Sequence, residues 1–235
     1  MKESPKRILL KLSGEALGEN GRLFDQDMIL RVGRILSDVA ATGAQLGVVI
    51  GAGNIWRGRQ SKEMDAVTAD HMGMLGTVIN CLCMRDAVER TGGHAVVFSA
   101  IDMPRMCEPY NVQSARQAMS EGKVVFFAGG SGNPFFTTDT AVVLRAAEMQ
   151  ADMLLLAKNV DGVYTADPNK DPNAQLIPDI SYAEALERRL RVMDTAAFAM
   201  LTEQAIPMVR VFGLAEPENI LKVIAGDPRG TVLHP

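Results

Sequence analysis

The chain has 235 residues, 47% of them apolar, which is enough for one large α/β domain or two small ones, and a single domain over 1–235 is the expectation. A formal charge of -4, with no run of Lys or Arg able to track a phosphate backbone, argues against nucleic acid as the main partner. No stretch approaches the roughly 18 to 20 uncharged apolar residues of a membrane helix. Residues 1–12 are too charged for a signal peptide, and three cysteines with three scattered histidines suggest neither a disulfide framework nor a zinc cluster. A cytoplasmic protein with no membrane partner is therefore expected.

Short runs rich in Val, Ile, Leu and Phe alternate with longer helical patterns, the signature of βαβ units and a mostly parallel, buried sheet. A strand is predicted over 7–11, a helix over 25–42 and a strand over 45–50. In the next helix, 65–91, Ala69, Met72, Leu75, Val78, Ile79, Leu82, Met84, Ala87 and Val88 spread around most of the circumference. That helix should be buried on more than one side, as a central core helix or as one shared between subunits. Cys81 and Cys83 lie on different faces of it and read as buried thiols. The alternation continues with strand 94–98, helix 112–120, strand 123–128, helix 138–150 and strand 153–157. Residues 161–178, with Pro168, Pro172 and Pro178 among Asp and Asn, read as one long loop, and loops of that length are often functional. Helices over 182–189, 195–205 and 217–225 and a strand over 207–211 complete the chain, with Ser181 and Glu184 as a capping box, Asp194 as a cap and Pro217 at a first helical position.

Four strand ends carry chemistry. Strand 7–11 runs into Leu12-Ser13-Gly14-Glu15, which sets the ammonium of Lys11 beside exposed amides, a pairing suited to phosphate and equally to a snorkelling lysine before a turn. Strand 45–50 ends in Gly51-Ala52-Gly53-Asn54-Ile55-Trp56-Arg57-Gly58, where Arg57 offers a two-pronged grip on phosphate; the glycine spacing is not that of a dinucleotide-binding turn. After strand 123–128, residues 129–139 hold three glycines and four hydroxyl or amide side chains and open a helix, whose N-terminus favours anions. After strand 153–157, residues 159–168 offer Tyr164 for stacking on a base and carboxylates for ribose or a magnesium shell, or else a plain Asp-Gly turn. Together the four read as a nucleotide and phosphate cleft along one sheet edge.

Lys11-Leu12-Ser13-Gly14-Glu15, the glycine turn with Asn54 and Arg57, and Val160-Asp161-Gly162-Val163-Tyr164-Thr165-Ala166-Asp167-Pro168 resemble the amino acid kinase family. Asp70-His71-Met72-Gly73-Met74, the string from Gly132 through Asp139, and Val192-Met193-Asp194 narrow the likeness to the bacterial UMP kinases of that family, over about residues 6–232. The resemblance implies a three-layer αβα sandwich with a mostly parallel central sheet. UMP would bind on the side of roughly residues 1–150, and ATP on the side of roughly 151–235 plus the Lys11 turn. It implies a homohexamer built from dimers that pack through the helix around 70–89.

The same likeness implies that Lys11, Leu12, Ser13 and Gly14 hold the transferring phosphates with Gly53 beside them. Gly51, Ala52, Arg57 and Asp70 would face UMP, Arg57 also serving the ATP side and catalysis. Ser131, Gly132, Asn133, Pro134, Phe135, Phe136, Thr137 and Thr138 would shape the uracil pocket, while Tyr164 and Asp167 border ATP and Lys158 or Asn159 touches it. Asp139 and Asp194 would orient Lys11 and the metal-bound phosphates, the Mg2+ arriving with ATP and with no direct protein ligand assigned to it. GTP as activator and UTP as inhibitor are implied as well, with residues 19–24 near the effector region. Two departures stand out: Ala52 where glycine is frequent, acceptable if its φ stays negative, and Lys158-Asn159 in place of the usual polar residue. The alternatives are a sibling kinase acting on another small acceptor and a nucleotide sensor without catalysis.

Overall fold

The structure is a computed structural model that describes residues 7–18, 22–56, 63–190 and 192–235. In chain order the strands are β1 (Arg7–Leu12), β2 (Gln45–Ile50), β3 (Ala95–Ser99), β4 (Glu108–Pro109), β5 (Val124–Ala128), β6 (Met153–Lys158), β7 (Val163–Tyr164), β8 (Leu176–Ile177), β9 (Asp179–Ser181), β10 (Val209–Gly213) and β11 (Thr231–His234). The helices are α1 (Gln26–Ala41), α2 (Ala66–Arg90), α3 (Val112–Ser120), α4 (Thr138–Met149), α5 (Tyr182–Glu187), α6 (Thr195–Glu203) and α7 (Asn219–Ile224). Nine strands form one sheet in the order β4-β3-β5-β2-β1-β6-β10-β11-β9, parallel throughout except for the antiparallel pair β10 and β11.

Helices cover both faces, so the sheet is the middle of three layers. Alternation along β1 sends Ile8, Leu10 and Leu12 to the layer of α1, α2 and α7, and Leu9 to the layer of α3 to α6. Lys11 shares the Leu9 face, and on β6 Lys158 shares the face of Leu154 and Leu156. The two ammonium groups therefore emerge at the carboxyl ends of adjacent strands, on the side of α4. A one-residue slip of β1 would drive Lys11 into the α1–α2 core. It would also forfeit fully buried aliphatic side chains worth about 1.5–3 kcal/mol each, more than the strand ladder can return.

The long elements lie where the periodicity puts them. Asp194 caps α6, its carboxylate accepting from Ala197 N at 2.8 Å. Ser181 caps α5 through Glu184 N at 3.1 Å, but the Glu184 carboxylate turns to Arg188 at 3.0 Å, so only half of the capping box forms. Pro217 stands before α7 rather than in its first turn, with Glu218 as the cap residue. The stretch 161–178 is not structureless: β7 and β8 pair antiparallel within it. Buried on α2 are Ala69, Met74, Val78, Cys81, Met84, Ala87 and Val88, whereas Met72, Leu75 and Ile79 are 36%, 45% and 48% exposed. Among the described residues, no helix is long and apolar enough to cross a membrane.

Candidate active site

Three charged side chains meet where β1, β6 and α4 converge. Lys11 Nζ stands 3.1 Å from Asp139 Oδ1, and Lys158 Nζ stands 3.9 Å from Asp139 Oδ2. Asp139 occupies the first turn of α4, where the helix N-terminus favours an anion. All three groups are largely buried, which makes their mutual compensation worth more than that of a surface ion pair. Burial holds the Lys158 ammonium below the usual lysine range; the neighbouring Lys11 charge pushes the same way, while Asp139 and Asp194 oppose both. Lys158 also donates to the Val192 carbonyl, which ties β6 to the approach of α6.

The N-terminus of α4 is itself fastened. Thr137, its cap residue, accepts from Asp139 N at 3.1 Å and donates to Asp194. Thr140 Oγ1 reaches the two Asp194 oxygens at 3.2 and 3.1 Å. Asp194 thus bridges the starts of α4 and α6, and its effect on Lys11 runs through the placing of Asp139.

The turn after β1 lies against the turn after β2. A Cβ on Gly14 would meet Asn54 Oδ1 and the Gly51 carbonyl, each at 2.3 Å, so glycine is required by close approach and not by a positive φ. Gly51 N donates to the Leu12 carbonyl at 2.9 Å. Asn80, fully buried on α2, donates from Nδ2 to the Gly51 carbonyl at 2.7 Å and to Asn54 Oδ1 at 2.9 Å, while Asn54 Nδ2 donates to Asn80 Oδ1 at 3.1 Å. Ala52 keeps a negative φ and stands against Gly76, where a Cβ would come within 2.8 Å of the Ala52 methyl. Extra bulk at 52 is therefore offset by missing bulk on α2.

On the β2 and β5 side is a cleft of about 180 Å³ lined by Ala52, Trp56, Asp70, Thr77, Gly130, Ser131, Asn133, Phe136, Thr137 and Thr138, among others. Asp70 accepts from Phe135 N at 2.6 Å, Thr77 Oγ1 accepts from Gly129 N at 2.9 Å, and Trp56 Nε1 donates to the Ala69 carbonyl at 2.9 Å. Below it, the buried guanidinium of Arg145 lies 3.7 Å from the centre of the Tyr110 ring, bonds Glu148 at 2.6 Å and reaches the Gly130 carbonyl at 3.4 Å. Burial, helped by the Glu148 carboxylate, pushes the Tyr110 phenol well above its usual range, so it stays a neutral donor to Glu148.

On the β6 side, a cleft of about 460 Å³ is lined by residues that include Gly162, Tyr164, Asp167, Pro168, Arg188 and Arg189. Its wall is braced from behind by Thr231 of β11, which accepts from Val163 N at 2.8 Å and donates to the Ile177 carbonyl at 2.6 Å. Two larger hollows flank α6 and are lined mainly by apolar groups such as Leu186, Met193, Phe198 and Met200; neither holds the lysines or Asp139.

The structure thus brings Lys11, Asp139, Lys158 and Asp194 together, sets Ser13, Gly14 and Gly51 beside them, and lines one cleft with Ala52, Asp70 and most of 131–138, the other with Tyr164 and Asp167. Gly132, Pro134 and Phe135 do not line the cleft; Phe135 is 68% exposed with a φ of 71°, and its contribution is the backbone amide bound by Asp70. Asn159 is turned aside to Glu15 at 2.8 Å, leaving Lys158 as the one that faces Asp139. Arg57 lies outside the described residues, as do residues 19–21 of the stretch 19–24. Sequence reasoning missed Asn80, Thr77, Glu15, Thr140, Arg145 and the pair Arg188-Arg189. A polar side chain inside an apolar helical pattern, as at Thr77 and Asn80, was the available signal.

The amino acid kinase family model matches residues 6–210. The chain is 36% identical to a UMP kinase from Bacillus anthracis, covering 98% of this chain and 96% of that one, with a TM-score of 0.91. It is 33% identical to UMP kinase from Ureaplasma parvum, over 98% and 99% of the two chains, with a TM-score of 0.92. A uridylate kinase from Archaeoglobus fulgidus, 24% identical over 96% of this chain and 99% of that one, shares the fold with a TM-score of 0.71. The sheet order, the paired lysines on one carboxylate and these likenesses converge on one assignment: the chain belongs to the amino acid kinase family.

Proposed function

We propose that the protein is a UMP kinase, moving the γ-phosphoryl group of ATP onto the phosphate of UMP to give UDP and ADP. The observation that carries this reading is the Lys11–Asp139–Lys158 cluster between two clefts, in a chain 36% identical to a UMP kinase. ATP would lie on the side of Tyr164 and Asp167, and UMP in the cleft of Ala52, Asp70 and 131–138, with Asp70 toward its ribose. The Lys11 turn, through Leu12, Ser13, Gly14 and neighbouring Gly53, would hold the phosphates between them. Arg57 is proposed for the UMP phosphate and the phosphoryl in flight.

The acceptor oxygen of UMP is already ionised, so transfer needs no general base, and positioning with charge neutralisation supplies the catalysis. Asp139 holds both ammoniums in the site until phosphate oxygens replace it as their partner. The N-terminus of α4 and the amides at 13–14 add fixed positive potential. Mg2+ suits this donor set as a passenger of ATP: it commonly binds through phosphates and water with few carboxylates, and among the described residues no group of three His, Cys, Asp or Glu is placed to cage a metal. When bound it would supply further charge neutralisation on the phosphates, and Asp139 and Asp194 would be the carboxylates available to orient it.

The exposed stripe of Met72, Leu75 and Ile79 supports self-association through α2, and a homohexamer is the assembly proposed. A cytoplasmic setting, activation by GTP and inhibition by UTP complete the reading. The test is ADP release in a coupled assay with MgATP and, in turn, UMP, CMP, aspartate, acetylglutamate and carbamate. UMP-dependent turnover is expected, and Lys11→Ala should lower kcat on the order of a hundredfold. Turnover with another acceptor and none with UMP would instead identify a sibling kinase, and nucleotide binding with no transfer to any acceptor a sensor.

A further inference from the structure

One edge of α2 carries Asp70, Gly73, Gly76, Thr77 and Asn80, spaced by three, four and seven residues so that they share a face. Each polar member of that face holds main chain at the site: Asp70 the amide of Phe135 and Thr77 the amide of Gly129, both in the loop after β5, and Asn80 the carbonyl of Gly51 in the turn after β2. Gly76 admits the 52–56 turn, since a Cβ there would come within 2.8 Å of the Ala52 methyl.

Asn80 differs from the other two because it bears on both phosphate turns at once. Its amide pairs with that of Asn54, and Asn54 Nδ2 also donates to the Leu23 carbonyl at 3.1 Å. The Gly51 and Leu23 carbonyls can only accept, which fixes the orientation of both amides and leaves Asn80 fully satisfied although it is fully buried. Gly14 packs on this pair so closely that an added Cβ would lie 2.3 Å from Asn54 Oδ1 and 3.0 Å from Asn80 Nδ2. The amide pair is therefore a spacer between the turn after β1 and the turn after β2.

We propose that Asn80, through Asn54, is a positioning residue that sets the separation between the donor-phosphate turn and the acceptor turn. This rests on the phosphotransfer reading of the site. In-line transfer needs the two reacting groups aligned to a fraction of an ångström, and a misplacement near 1 Å can cost about a hundredfold. Loss of the pair should then strike kcat while each turn still binds its own nucleotide.

The experiment measures kcat and both KM values for the wild-type protein, Asn80→Leu, Asn54→Ala and the double variant, with melting curves for each. A fall in kcat of at least tenfold, KM values within threefold, and a double variant no worse than the worse single one support the proposal. An Asn80→Leu kcat within twofold of wild type, whatever its melting temperature, overturns it, because a purely structural residue would change the amount of folded protein and not its turnover. If Asn80→Leu does not fold, Asn54→Ala, at a partly exposed site, decides by the same criterion. Wild-type protein that transfers nothing to UMP or any other acceptor would overturn the phosphotransfer reading itself; normal wild-type turnover with an unimpaired variant overturns only the role of Asn80.

Discussion

Glycines at the site serve different ends, which their surroundings distinguish. Gly14→Ala would press a methyl onto a carbonyl and an amide oxygen, so a loss of about 1–3 kcal/mol in urea unfolding is expected, together with a fall in kcat/KM. At Gly53 the nearest atom to an added Cβ is Glu15 Oε1 at 3.8 Å. Gly53→Ala should leave the urea midpoint nearly unchanged and still raise KM, because the space it fills is space for ligand. Lys158 titrates below the usual lysine range, and if its charge serves the donor phosphates as proposed, kcat/KM should decline on the alkaline side as pH climbs through that lowered value. Lys158→Arg should push that limb to higher pH in a pH–rate profile; an unmoved limb would assign it to another group. For stability the sign is opposite: below its folded pKa the group stays charged at a cost, and the cost is relieved as pH rises toward the unfolded value. Lys11 was legible from its place at a strand end, and Asp139 from its helix start. Asn80 was not, since an asparagine amid apolar helix positions does not announce which distant carbonyl it meets.

Helix α2 shows how a single element can work on two fronts. Its inner face holds two loops by their main chain, and its outer face carries Met72, Leu75 and Ile79 in the open. Leu75→Glu combined with Ile79→Glu should shift the protein to smaller species in analytical ultracentrifugation, since burying two carboxylates in an apolar contact is strongly unfavourable. An unchanged sedimentation profile would place the subunit contact elsewhere. The β7–β8 ribbon leans on Thr231 in a comparable way. Thr231→Val keeps the shape and strands one buried amide and one buried carbonyl, about 1–3 kcal/mol for each group left unpaired. The urea midpoint should fall and KM for ATP rise, with KM for UMP little altered. The ribbon itself escaped sequence reading because two-residue strands carry no periodicity, and the prolines around it pointed to loop.

At the level of the whole molecule, the alternation of apolar runs and helical patterns was sufficient for the layered α/β plan, and strand-end glycines and charges located the site edge. The short strands β4, β9 and β11 were not legible: two to four residues carry little periodicity, and β9 and β11 pair across about fifty residues of chain. Because the two clefts lie on opposite sides of Lys11, the two nucleotides should stabilise the fold independently. At a hundred times its dissociation constant each ligand adds about 2.7 kcal/mol, a rise of roughly 5–10 °C in melting temperature for a domain this size. Lys11→Ala should lose more of the rise caused by ATP than of that caused by UMP; equal losses would mean that Lys11 serves both ligands alike.

A carboxylate flanked by two ammoniums has one further meaning. An idle molecule keeps its cations parked on an internal anion, so neither is left bare in a dry pocket while no nucleotide is present. An incoming triphosphate then acts as a competitor for those cations, and each lysine changes hosts. Asp139→Asn would remove the parking place and set two like charges against each other. Such a protein should bind free polyphosphate or sulfate more tightly than the parent does, even as its turnover falls.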